Sequence, residues 1–418
     1  MEADSPRVED VLARIRVILH GGPRSFYEDV RDVIVIGSSS RGGSSIFAEM
    51  LRRNANLLHF QAEVNPFFVL SGLGFPQSGT RSDALDASHA RIVAGLGGEC
   101  GQPATSLPEG ADTLAFATDL TCRLCLQWPH LAFTLDDIHT RVVDTLRTLR
   151  ARHGWGPAEL RDIQLFHAHL YAGLPDVNPY DYDIDRALVA AVCPDARPSR
   201  GPAGPFVIEE PPFVTIRPWH RASSEALATL PVVMKTPSNA YRLPFLRALF
   251  PNARVRVLHL TRNVAASVNG LYDGWRFPGF HSHRLPVELD IAGYDDRHWW
   301  KFDLPPGWEA WTRRPLEEVC AFQWRSAHDA LLGFEGERMS LRFEDVIGPG
   351  RDAAFRRLSD WLGVPVAGVD LPPVMATERP RERRWFARAG LLEPVLTDPA
   401  NRATMERLGY EQDPISWI

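Results

Sequence analysis

The run Gly37-Ser-Ser-Ser-Arg-Gly-Gly-Ser-Ser45 is made almost wholly of small residues, with one cation inside it. Backbone amides in such a run can turn inward around an anion, and Ser44 and Ser45 add hydroxyl donors. Gly42 and Gly43 allow close approach of the main chain to a ligand, and Arg41 adds a full charge. A helix starting at the end of the run would contribute positive potential from its N-terminus. The chemistry on offer is phosphate binding. A second set of such residues lies far along the chain. Arg262, in Thr261-Arg-Asn263, can fork onto phosphate oxygens, and Ser267, or Asn269 in its place, follows as a hydrogen-bonding partner. Two further residues suit a transfer reaction. Glu63 is a carboxylate able to accept a proton, and Lys235 is a compact point charge. Of 46 basic residues only Lys235 and Lys301 are lysines, so a lysine kept in this arginine-rich chain suits a role that needs that compact charge.

These residues must be held by regular elements. Val33-Ile-Val-Ile36 is a β-branched run suited to a strand buried on both faces. After the small-residue run, Ile46, Phe47, Met50 and Leu51 recur at helical spacing. Strand, loop, helix is the opening unit of a nucleotide-binding α/β domain. Gly37, Gly42 and Ser44 stand in register with the triphosphatase loop GxxxxGK[ST], but Gly43 occupies the lysine position. A triphosphate would lose its main charge partner there.

Farther on, the spacing predicts strands at 232–235, 254–260 and 338–342, and helices at 241–250, from 263, at 315–333 and at 351–362. Stretches 84–96, 111–127, 134–152 and 158–172 read as helices with no parallel-strand run among them, which predicts a mostly helical insertion over 80–205. A further amphipathic helix is predicted at 7–19. Prolines confine 206–216 to a loop or edge strand. Residues 273–312 hold Trp275, Trp299, Trp300, Trp308 and Trp311 and read as an irregular lid. Within it Trp275, His281 and His283 are candidates for an acceptor pocket, the histidines also being rivals to Glu63 as base. The predicted fold class is α/β: one domain over 1–418, three-layer and P-loop-like, with a central parallel sheet and a mostly helical insertion.

Composition narrows the function. With 46 basic and 52 acidic residues the formal charge is −6, without the basic excess of a nucleic-acid binder. No apolar run approaches the ~18 residues of a membrane span, and the opening residues lack a signal peptide. A cytoplasmic protein with neither nucleic-acid nor membrane partner is expected. The five cysteines form no disulfide framework, and Cys122 and Cys125 make a lone CxxC without a second ligand pair, so no metal site is expected. Nothing in the sequence sets an oligomeric state.

An arginine followed by Gly-Gly-Ser-Ser resembles the 5′-phosphosulfate loop of the sulfotransferases that use 3′-phosphoadenosine 5′-phosphosulfate (PAPS). Lys235-Thr-Pro-Ser-Asn239 and the strand–Arg262–helix unit are similar to that family's lysine and 3′-phosphate motifs. Leu341-Arg-Phe-Glu-Asp-Val346 with the helix to Trp361, and the basic stretch Arg379–Trp385, extend the likeness. The resemblance implies that Arg41, Gly42, Gly43, Ser44 and Ser45 hold the 5′-phosphosulfate. It places Arg262 and Ser267 on the 3′-phosphate, where the family's serine often stands at the position of Gly270, and sends Arg383 and Arg384 over it. Lys235 would meet the bridging oxygen. Glu63, at an offset similar to the glutamate of tyrosylprotein sulfotransferases, would deprotonate a hydroxyl of a small-molecule or glycan acceptor. Two other readings of the residues stay open: an ATP-dependent phosphotransferase using the same loop, and a non-catalytic nucleotide-binding protein.

Overall fold

The computed structural model describes residues 25–199, 201–202, 204, 207–375, 381–411, 413 and 417. The expected helix at 7–19 lies outside them, as do Phe206 and the Arg379-Pro380 start of the basic stretch. Nine strands occur among the described residues: β1 (Asp32–Gly37), β2 (Leu58–Phe60), β3 (Cys100–Pro103), β4 (Trp219–Arg221), β5 (Val232–Lys235), β6 (Arg254–Thr261), β7 (His283–Arg284), β8 (Trp299–Trp300) and β9 (Arg338–Arg342). Seven form one sheet in the order β4-β3-β2-β5-β1-β6-β9. The five from β2 to β9 run parallel, and β3 and β4 extend the edge antiparallel. The fold is mixed α/β with a mostly parallel central sheet.

The β-branched run of β1 explains its central place, because alternate residues serve opposite faces. Val33 and Val35 pack with Phe245, Leu246 and Leu331 on one side. Ile34 and Ile36 pack with Phe47, Leu51, Phe355 and Leu358 on the other. The helices that matter here are α1 (Ser44–Arg52), α2 (Asn65–Leu70), α3 (Ala111–Gln127), α4 (Leu135–His153), α5 (Ile163–Ala172), α6 (Leu243–Leu249), α7 (Val264–Arg276), α8 (Leu316–Leu332), α9 (Phe343–Ile347) and α10 (Arg351–Leu362). Thus α6 and α8 cover one sheet face, and α1 and α10 the other. In register, Ile36 lies beside Lys235 and Gly37 beside His259. The loops after β1, β5 and β6 therefore emerge at one edge of the sheet, where α/β folds bind ligands.

The segment between β2 and β4 departs from expectation in one place. Residues 84–96 are not a helix. Asp86 caps a single tight turn, Ala87–His89, and the chain then runs irregularly to Leu96. A short strand, β3, also interrupts the helices, pairing antiparallel rather than parallel. Its sequence Cys-Gly-Gln-Pro shows no alternation, and Gly101 is there because any Cβ would strike the carbonyl of His220 on β4. Helices α3, α4 and α5 gather a core of their own around Phe116, Leu124, Val142, Leu146, Phe166 and Phe213.

The tryptophan-rich segment is largely core. Trp275, Trp300 and Trp308 are buried with Trp324 and Leu316. Each indole N–H of the first three finds an acceptor: Gln323, the Asp303 carbonyl and the Arg81 carbonyl, at 2.8, 2.9 and 2.7 Å. Among the described residues no helix is long and apolar enough to cross a membrane.

Candidate functional site

The loops at the C-terminal ends of β1, β5 and β6 open into a cavity of about 570 Å³, a size that suits a nucleotide and a small second molecule. On the β1 side it is lined by Ser38 to Arg41 and Gly43 to Ser45. The loop is tightly specified. Arg41 and Gly43 both adopt left-handed backbone conformations, with φ of 61° and 94°. A Cβ at position 43 would run into the Phe343 ring, so glycine is required on two counts. Gly43 caps α1, so Ser44 and Ser45 sit in its first turn at the positive end of the helix. Gly42 takes a different part from the one expected. Its amide donates to the Ser39 carbonyl at 3.1 Å, and it does not line the cavity. It closes the turn that the neighbouring residues use to face inward.

Arg262 reaches this loop directly, its Nη1 donating to the Arg41 carbonyl at 3.2 Å. Both arginines line the cavity. Burial, and then the nearby Arg262, push the Arg41 guanidinium down to about 10, and burial also lowers Arg262. Two desolvated like charges side by side form a corner that an anion would relieve. Two hydroxyls point the same way: Ser39 Oγ and Thr236 Oγ1 are buried in the cavity wall without a hydrogen-bond partner. A buried hydroxyl left unpaired is costly, so both fit a polar ligand there.

Helix α7 presents Ala266, Asn269 and Gly270 to the cavity, one face at i, i+3 and i+4. Ser267 is turned about 100° away from Ala266 by the helical pitch. It is fully buried, its Oγ has no hydrogen-bond partner, and it does not line the cavity. Asn269, the alternative, lines the wall and accepts from Arg388 at 2.7 Å. Arg383 and Arg384 line the cavity together with Arg381 and Trp385, and Arg384 is tied to Asp273 of α7 at 2.5 Å.

Glu63, just past the end of β2, and Lys235, the last residue of β5, stand at the same C-terminal end of this parallel pair and meet in the cavity wall. Lys235 Nζ donates to Glu63 Oε1 at 2.5 Å, and Glu63 Oε2 is buried with no partner of its own. The Glu63 backbone is held by Arg123, which donates to its carbonyl at 3.1 Å. A carboxylate and an ammonium thus stand in contact on the wall that also carries the arginine corner.

The residues expected at an acceptor pocket are elsewhere. Trp275 is wholly buried, His281 is buried against Trp299, and His283 is turned to Asp83 at 3.3 Å. None lines the cavity. Burial lowers His281 to about 4. From that segment the cavity receives Phe280 and Phe302 instead. Sequence reasoning also missed Glu209 and Glu210, whose signal was an acidic pair directly before Pro211-Pro212. Glu209 is committed to Arg123 at 3.0 Å.

Comparison with protein-family models and with curated proteins finds no match. Among solved structures, the chain is similar to a sulfotransferase domain from the curacin biosynthetic pathway, at 12% identity and a TM-score of 0.35, over 91% of this chain and 99% of that one. At so distant a likeness, the chemistry has to be read from the side chains themselves.

Proposed function

We propose that the chain is a PAPS-dependent sulfotransferase acting on a hydroxyl of a small-molecule or glycan acceptor. The observation that carries this reading is the meeting of Arg262 with the loop of Arg41 in a cavity that also holds the Glu63–Lys235 pair. Arg262 and the Arg41 loop come from separate parts of the chain and share one wall, which suits a donor with more than one anionic group, and the adjoining pair suits proton removal and charge compensation. On this reading the fold is a three-layer, P-loop-like domain. Residues 80–205 are its helical insertion, and 273–312 roof the acceptor end through Phe280 and Phe302.

Ser44, Ser45 and the Gly43 amide hold the phosphosulfate, with Arg41 balancing its charge. Arg262 and Asn269 hold the 3′-phosphate, and Arg383 and Arg384 close over it. Glu63 takes the proton from the acceptor hydroxyl as its oxygen bonds to sulfur, while the sulfur–oxygen bond to the phosphate breaks. Lys235 shifts from Glu63 to the oxygen that is released, which offsets the new charge and leaves Glu63 able to accept the proton. No metal enters this scheme.

Incubation with PAPS and a panel of hydroxyl acceptors tests the proposal. Glu63→Gln is expected to lower turnover by about 10²–10⁴ while adenosine 3′,5′-bisphosphate still binds. Full activity in that variant would remove Glu63 from the mechanism. Magnesium-dependent turnover of ATP would replace the proposal with a phosphotransferase, and tight PAPS binding without transfer to any acceptor would leave a binding protein.

A further inference from the structure

Glu210 stands on the cavity wall near Glu63, half-buried, at one end of a short hydrogen-bonded chain. Its Oε1 accepts from Ser282 Oγ at 2.5 Å, and Ser282 Oγ in turn accepts from the backbone N–H of Phe302 at 2.6 Å. Phe302 has a φ of 64°, a left-handed conformation that is costly for a residue with a Cβ. Two contacts hold it there: the Ser282 hydroxyl and a bed at Gly274, where any Cβ would strike the Phe302 ring. Phe302 packs on Phe280 with ring centroids 4.8 Å apart, and both line the cavity. One hydroxyl thus positions a carboxylate and the backbone of an aromatic residue on the same wall.

The other carboxylates nearby are taken. Glu63 is paired with Lys235, and Glu209 with Arg123. Glu210 has no cation within ion-pair distance among the described residues. The charged groups that face it are engaged elsewhere: His283 with Asp83, and Lys301 with the Phe277 carbonyl at 2.5 Å. Burial accordingly pushes the Glu210 carboxyl up to about 7. The unpartnered hydroxyl of Thr236, more than nine-tenths buried, faces the same cavity. A carboxylate without a cation, beside aromatic rings, is the arrangement that recognises an ammonium group.

We propose that Glu210, Phe302 and Phe280 form an amine subsite, so that the acceptor carries a protonated amine in addition to the hydroxyl that is sulfated. The hydroxyl's part in this rests on the sulfuryl-transfer reading, whereas the amine's place does not. An anionic acceptor is disfavoured because it would bring a third charge against Glu63 and Glu210.

Calorimetry on the full chain with three phenols of one frame provides the test: tyramine, 4-ethylphenol and 3-(4-hydroxyphenyl)propionate, each titrated with and without saturating adenosine 3′,5′-bisphosphate. Tyramine is expected to bind about ten-fold more tightly than 4-ethylphenol, the gain of one charged hydrogen bond, and the propionate most weakly. Glu210→Gln should erase the tyramine advantage and leave 4-ethylphenol binding unchanged, which also shows that the variant is folded. Ser282→Ala should reduce the advantage without changing the charge of the site. Tyramine binding no tighter than 4-ethylphenol, or an advantage that survives Glu210→Gln, overturns the proposal. If the bisphosphate fails to bind while tyramine still binds through Glu210, the amine subsite stands and the sulfuryl-transfer reading falls.

Discussion

At Gly270 the cavity wall is bare helix backbone, and a Cβ built there would lie 3.4 Å from Arg41 Cβ, an ordinary contact. A serine at this position would place its hydroxyl in the corner between Arg41 and Arg262, on the wall proposed for the 3′-phosphate. Gly270→Ser is therefore expected to tighten binding of adenosine 3′,5′-bisphosphate several-fold in calorimetry, and to raise stability by about 0.5 kcal/mol through helix propensity. Lys235→Arg should behave oppositely. A planar fork cannot occupy the space of a compact ammonium 2.5 Å from Glu63, so turnover should fall by at least about ten-fold with bisphosphate binding retained. Residue types alone drew attention to Arg41, Arg262, Glu63 and Lys235. What they could not supply was the contact of Glu63 with Lys235, which depends on a parallel pairing between segments 172 positions apart. The acidic pair before Pro211 marked Glu210, but its role was illegible for a related reason: its meaning comes from Ser282, 72 residues away, and from a strained Phe302 that no sequence pattern announces.

At the scale of elements, β6 and α8 meet through His259 and His328, whose Nε2 and Nδ1 lie 2.8 Å apart in the core. Burial pushes His328 down to about 3, and burial together with its partner lowers His259 as well. The unfolded chain takes up these protons near 6.5 and the folded one does not, so stability is lost as pH falls below that value. His328→Gln should lessen the loss. Between pH 6.5 and 4.5 the variant should gain on the wild type by up to about 1.4 kcal/mol per pH unit, which urea denaturation at several pH values would measure. A second test concerns the loop–helix junction. Gly43→Ala is expected to destabilise by at least about 1 kcal/mol and to abolish bisphosphate binding, since the Phe343 ring and a left-handed backbone both oppose a side chain. Strands 33–36 and 232–235 were readable as short apolar runs, strand 338–342 from the alternation of Met339 and Leu341, and the helix at 351–362 from the helical spacing of its apolar residues. Edge strand β3 was not, because close approach of two backbones selects glycine there and leaves no apolar pattern.

At the scale of the molecule, three distant segments converge on the cavity mouth. Arg41 Nη1 donates to the Met375 carbonyl at 2.7 Å, and the Met375 amide donates to Asp183 Oδ1 at 3.0 Å. The anion loop, the C-terminal segment and the stretch following α5 are thereby joined in one line. Asp183→Ala should loosen that line and weaken bisphosphate binding, although Asp183 does not itself line the cavity. In the wild type the bisphosphate at a hundred times its Kd should add about 2.7 kcal/mol of stability, seen as a higher Tm. The most direct test of a shared two-anion site compares adenosine 3′,5′-bisphosphate with adenosine 5′-monophosphate by calorimetry, in the wild type and in Arg262→Ala. The wild type should prefer the bisphosphate by about a hundred-fold, the worth of one or two charged hydrogen bonds, and Arg262→Ala should lose most of that preference, its affinity for the monophosphate falling far less than its affinity for the bisphosphate. Equal affinity of the wild type for both nucleotides, or a preference untouched by Arg262→Ala, would contradict it.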